Sequence, residues 1–198
     1  MKNITLLLVA LSMLSACDFA TKHITTNQPI QSEYKMGEQW VWHWERAVDG
    51  HVRDEGRDTQ KVVRYNGDLG FWNGIDTVLV AKTLLPDNSA TPFRDWPLFV
   101  GKKWQYESTW ENNEGTTGKT AQDVEVVAYE ALKVKGGTFK AYKLIYQGIV
   151  TNSRGFKGEM TDTWWYAPEL KTYIKHINED GHGVYTNELI SYTNATAL

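Results

Sequence analysis

Residues 37–46 read GEQWVWHWER, with tryptophan at every second position: Trp40, Trp42 and Trp44. Side chains alternate across a β-strand, so this period sets the three indoles on one face and Val41, His43 and Glu45 on the other. A helix would scatter them around its axis. The stretch therefore predicts a strand with one apolar and one solvated face, and Asp49-Gly50 marks a two-residue hairpin at its end. A second stretch, GKKWQYESTWE, begins 64 residues later (101 − 37) with the same G-x-x-W-x-[WY] pattern. There Trp104, Tyr106, Ser108 and Trp110 share a face, opposed by Lys103, Gln105, Glu107 and Thr109.

Working outward, the chain from Gly37 on reads as strands broken by turns. TQKVVRY, IDTVLVA, AQDVEVVAY, TFKAYKLIYQGIV, EMTDTWWY, KTYIKHI and GVYTNELISYT are runs rich in β-branched and aromatic residues. Asn66-Gly67, Asn73-Gly74, Gly136-Gly137 and Asp180-Gly181 punctuate them. No stretch holds helical periodicity over three turns. The expected fold is all-β: an antiparallel meander forming a curled sheet, half-barrel or flattened barrel. LPDNSATPFRDWP, residues 85–97, carries three prolines and splits the strands into two groups. The Gln60–Tyr65 run is echoed by Gln122–Tyr129, which adds to the repeated W-x-[WY] start. Residues 37–198 are thus expected to form one all-β domain with related halves at about 37–85 and 98–193. Halves of roughly 60 residues are poor candidates for independent stability, so a single shared core is expected.

The N-terminus carries a different message. Lys2 precedes ITLLLVALSML, an apolar run too short for a bilayer span of about 20 residues. It has the form of a secretory signal. Leu14-Ser15-Ala16-Cys17 follows, and Cys17 is the one cysteine in the chain. This stretch resembles a bacterial lipobox. The resemblance implies a signal peptide over residues 1–16 and acylation of Cys17, palmitate included, with membrane anchoring as the consequence. Several acyl chains hold a protein to a bilayer stably where one does not. Residues 17–36, polar and without periodicity after Cys17, are expected to form a flexible tether. Asp18 resembles a retention signal for the inner membrane; the outer membrane is the alternative. The localisation expected is the cell envelope, lipid-anchored and facing the periplasm.

Composition excludes several function classes. With 21 basic and 24 acidic residues the net charge is −3, and no basic patch suits nucleic acid. A lone cysteine permits no intrachain disulfide and leaves no spare thiol for a Cys–His nucleophile. No G-x-S-x-G elbow or phosphate loop is present. DGHVRDEGRD, residues 49–58, lacks calcium-loop spacing and suits cross-strand charge pairing on a solvated hairpin. Two histidines, His176 and His182, flank one turn with Asp180, but a metal site needs three or four converging ligands. No metal, no cofactor and no enzymatic activity are expected.

The aromatic rows have two readings. Trp40, Trp42, Trp44, Trp104, Tyr106 and Trp110 could point into a core, since aromatic rows dominate core energetics. Alternatively they line a concave face open to an apolar or glycan ligand. Trp164-Trp165-Tyr166 has indoles on both faces of one strand, which calls for a cover on each side; loop 85–97 is the natural candidate. FVGKKWQYESTW, GGTFKAYKL and WWYAPELKTYIK together resemble a class of exported bacterial β-rich domains of unknown function. That resemblance implies an exported β domain and assigns no catalytic residue. Gly37-x-x-Trp40 is similar to the G-x-W of lipocalins, with one residue more in the spacing. The function expected is non-enzymatic: binding an apolar or glycan ligand, or serving as an accessory subunit of an envelope assembly.

Overall fold

The computed structural model describes residues 24–195. Cys17, Asp18 and the signal peptide lie outside the described residues. Ten strands form one antiparallel sheet: β1 (Gln39–Val48), β2 (His51–Tyr65), β3 (Asp68–Trp72), β4 (Thr77–Leu79), β5 (Lys103–Glu111), β6 (Thr117–Val134), β7 (Gly137–Asn152), β8 (Lys157–Ala167), β9 (Thr172–Glu179) and β10 (Val184–Thr193). Their order across the sheet is β4-β3-β2-β1-β10-β9-β8-β7-β6-β5. Every neighbour is a sequence neighbour except the β1–β10 pair, so the meander is joined through its two ends. It opens between β4 and β5 and does not close into a barrel.

Turn chemistry sets the hairpins. At the β1–β2 turn Asp49 and Gly50 have φ of 51° and 74°, the paired positive values that a tight primed turn needs. Val48 accordingly pairs with His51. IDTVLVA is not a full strand. Thr77–Leu79 pairs with β3, after which Val80–Thr83 makes a single helical turn, α1. β3, DLGFW, is short and glycine-interrupted, and the sequence pattern passes over it.

The two Trp-bearing starts repeat in backbone detail. Gly37 N–H donates to Val62 O, and Val62 N–H to Glu38 O. Gly101 N–H donates to Val126 O, and Val126 N–H to Lys102 O. The turn bonds Glu38 N–H to Lys35 O and Lys102 N–H to Phe99 O match as well. Each pair of equivalent residues is separated by the same 64 positions (101 − 37, 126 − 62, 102 − 38, 99 − 35).

The expected meeting of both aromatic rows in one interior does not occur. Trp40 packs with Tyr34, Val62, Phe71 and Leu170, with Trp42 against that cluster. Trp104 and Tyr106 pack instead on a second cluster of Leu98, Val124, Tyr142, Leu144, Tyr146 and Tyr166. Five strands separate β1 from β5 across the sheet, which explains the split. Trp44 and Trp110 end their rows differently: each faces a glycine on the paired strand, Gly56 and Gly118, whose missing Cβ makes room for the indole.

Two separate covers serve the two faces of β8. Loop 85–97 brings Phe93 and Trp96 onto the second cluster, where Trp164 and Tyr166 also pack. The tip of the β6–β7 hairpin reaches β10, with Gly136 N–H donating to Leu189 O at 2.9 Å and Lys135 N–H to Glu188 Oε1 at 3.0 Å. Its Val134 and Ala141 join Trp165 in the first cluster. The loop is thus one cover of two.

The described part of the expected tether is seated on the sheet. Thr26 and Leu98 exchange backbone hydrogen bonds at 2.9 and 2.8 Å, and the Tyr142 hydroxyl donates to Ile24 O. Tyr34 is buried edge-on against Trp40 and Phe71. Polar composition concealed the one aromatic that anchors the segment.

Candidate functional site

A cleft of about 330 Å³ opens on the face that carries Trp42. Trp42, Trp164 and Tyr173 supply its aromatic walls; Asp58, Thr59, Gln60, Asn73, Thr172, Lys175, His176 and Asn187 supply polar groups. Strand register explains the convergence. His176 of β9 pairs with Trp164 of β8 on one side and Asn187 of β10 on the other, and Asn187 pairs with Trp44 of β1. Directly paired residues share a face, so one transverse row crosses four strands. The Trp42 indole N–H donates to Tyr173 O at 2.9 Å, reaching over β10 to β9 and fixing the ring as a wall.

His176 is held from two sides. Its ring lies parallel to Trp164, centroids 3.5 Å apart and planes 5° apart. Its Nε2 meets Asp162 Oδ1 at 2.8 Å. Asp162 is buried and also accepts from Asn178 Nδ2 at 2.9 Å and, on Oδ2, from Gln122 Nε2 at 2.8 Å. Burial pushes the Asp162 carboxyl up, but the bonds from His176, Gln122 and Asn178 outweigh it and hold the group below the ordinary carboxylate value. The carboxylate lies behind the cleft and fixes the imidazole, which lines it. Among the described residues no serine, threonine or water-activating second carboxylate is placed against this pair by a hydrogen bond.

Unpartnered polar atoms concentrate here. Among the described residues five buried side-chain polar atoms lack a hydrogen-bond partner. Two of them, Trp164 Nε1 and Asn187 Oδ1, belong to residues lining the cleft, and the Tyr173 hydroxyl, of another lining residue, faces Tyr146 and Arg94 instead. A fourth, Arg94 Nε, belongs to an adjoining cavity of about 190 Å³ that shares Gln60 and Thr172 with the cleft. Native structures leave few such groups, and here most of them fall in residues around two adjoining concavities.

Of the six aromatic residues expected on a ligand face, Trp42 lines the cleft. Trp40 is 1% exposed and donates its indole N–H to Leu170 O at 3.1 Å, which makes it core, though its edge lines the smaller cavity. Trp104 donates to Pro92 O and is covered by loop 85–97, with Phe93 edge-on against Tyr106. Trp44 stacks with Tyr185, and Trp110 lies over Gly118 on β6. His176 and His182 do not converge: His182 stacks on Phe156. Among the described residues no group of three metal-ligating side chains occurs. The sequence reading missed Trp164, Tyr173, Asp162 and Asn187. They come from three strands, and only register brings them together.

No family model matches the sequence, and no curated protein matches it significantly. Two solved structures are similar to this chain over most of its length. One, from Parabacteroides distasonis and inferred to be a lipoprotein, has a TM-score of 0.46 and 13% identity over 85% of this chain and 99% of its own. The other, from Bacteroides fragilis, is inferred to be exported and described as having a YmcC-like fold; its TM-score is 0.44, with 11% identity over 86% of this chain and all of its own. No helix among the described residues is long and apolar enough to cross a membrane.

Proposed function

We propose that this chain is an envelope lipoprotein, anchored at Cys17, that binds a small glycan-type ligand in the Trp42/Trp164 cleft without catalysing a reaction on it. The setting of Trp164 and Asn187, each with an unpartnered polar atom, among the aromatic and polar walls of the cleft carries this reading. A sugar ring presents an apolar face and a rim of hydroxyls. Aromatic walls set beside Asp58, Gln60, Asn73 and Lys175 meet both, whereas a purely apolar ligand would leave those groups unpaired at a cost. The volume falls near the lower end of the range for small-molecule sites, about 300–1,000 Å³. An assembly role has less support from the sheet edges. β4 is three residues long, and β5 alternates exposed Lys103, Gln105 and Glu107, features that discourage strand addition.

Calorimetric titration of the full chain in detergent with cellobiose, chitobiose and maltose tests the reading. Saturable binding of at least one is expected. Trp164→Phe and Asn187→Ala should each weaken it about 3- to 10-fold, the worth of one neutral hydrogen bond. Absence of binding across the panel, or binding indifferent to both substitutions, would discard the cleft as the site.

A further inference from the structure

The smaller cavity next to the cleft holds a cation with no counter-charge. Arg94 enters it from loop 85–97, and among the described residues no carboxylate forms an ion pair with Arg94. The other cation lining the cavity, Lys171, is neutralised: its Nζ lies 2.7 Å from Glu38 Oε1, in a pair 12% and 2% exposed. Asp95, the neighbour of Arg94 in sequence, is taken by Lys102 at 2.9 Å. The guanidinium carbon instead sits 4.3 Å from the Tyr173 ring centroid, with the rings of Phe93, Trp96 and Tyr166 at 5.7–5.8 Å. Burial raises the pKa of Tyr173 and the Arg94 charge opposes that rise, as expected of a cation at close range.

Aromatic faces stabilise a guanidinium and its fork also turns to the Tyr173 hydroxyl, but Arg94 Nε is buried without a partner. Arg94 is half-buried, and a charge partly withdrawn from water gains from an opposite charge that completes it. An arginine presents parallel donors in a fixed plane that match a carboxylate or phosphate, and it stays charged at every physiological pH. We infer that the Arg94 cavity is an anion subsite, receiving a carboxylate or phosphate group of the ligand whose neutral part occupies the adjoining cleft. This deepens the cleft reading and extends it to ligand charge: the shared Gln60 and Thr172 make the two volumes neighbours along one molecule.

Calorimetry on the full chain in detergent, at low ionic strength, separates the alternatives. Sodium glucuronate, inorganic phosphate and glucose serve as probes. At least one anion should bind saturably and more tightly than glucose. Arg94→Gln should weaken that anion about 30-fold or more, as when one partner of a buried charge pair is lost. Should the Gln variant fail to fold, Arg94→Lys, which keeps the charge but not the planar fork, carries the test with an expected loss of about tenfold. Glucuronate bound without phosphate indicates an acidic sugar; phosphate bound without glucuronate indicates a phosphorylated group; both outcomes support the subsite. Glucose binding as tightly as glucuronate and phosphate, or anion binding unchanged by the Arg94 substitutions, overturns it. Neutral disaccharides bound with no preference for anions would overturn the subsite and leave the cleft reading standing. Arg94-dependent anion binding without any neutral sugar would do the reverse.

Discussion

At Asp162 a single carboxylate organises the polar side of the cleft. Its two oxygens take hydrogen bonds from three side chains that belong to β6 and β9, so it ties three strands together while aiming His176 at the cleft. Because its folded-state value is depressed, the linkage has a definite sign. The stabilisation is present in full above the unfolded-state value near 4 and fades as pH falls through the lower folded value. Asp162→Asn should therefore flatten the acid limb of a stability–pH curve measured by urea denaturation, with the wild-type advantage shrinking below about pH 4. An unchanged acid limb would mean that the carboxylate does not stay ionised in the folded state. The tryptophans show the same dependence on surroundings: Trp40 is core and Trp42 a cleft wall, although one strand carries both on one face.

Among the elements, loop 85–97 does the most unusual work. It connects the two free edges of the sheet and lays Phe93 between Tyr106, Tyr146 and Trp164, while the Tyr146 hydroxyl donates to Phe93 O at 2.7 Å. Burial raises the pKa of Tyr146 far above that of a free phenol, and the nearby Arg94 charge offsets only part of that rise. Replacing residues 92–97 by a Gly-Ser linker of equal length should uncover this aromatic cluster. A marked rise in ANS fluorescence and a fall in Tm of several degrees are expected, because Phe93 and Trp96 each bury apolar area worth about 2 kcal/mol. A variant with an unshifted Tm and no ANS binding would show that the loop adds no packing. The sequence named this loop as a cover. It gave no sign of the second one, because the tip of the β6–β7 hairpin reaches β10 only through the lengths and bend of two long strands.

For the whole molecule, the 64-residue offset in backbone hydrogen bonds means that one local arrangement occurs twice: a glycine-led turn, a Trp strand and a returning strand with a buried valine, Val62 or Val126. The docking of Ile24 onward shortens the reach of the domain. If Cys17 is the lipidated residue, seven Cα–Cα steps lead from it to Ile24 (24 − 17), which allows at most about 25 Å when fully extended. The domain would then sit close to the membrane surface. Cys17→Ser should release the protein from the membrane fraction into the aqueous phase on detergent phase partition; retention with the membrane would remove the lipoprotein reading.

The strand period at Trp40-Trp42-Trp44, the turn residues at Asp49-Gly50 and Asn66-Gly67 and the repeated G-x-x-W start determined an antiparallel all-β meander by themselves, since these signals are local and their physics acts within a few residues. Only the tertiary structure decided that the two aromatic rows pack in separate clusters, that residues 24–36 are seated on the sheet, that Asp162 and Trp164 hold His176 between them, and that Arg94 of loop 85–97 lies over Tyr173. Those outcomes depend on sheet order, register and the path of a long connection. They are set by contacts between residues up to more than a hundred positions apart, such as Trp40 with Leu170, which no local pattern encodes.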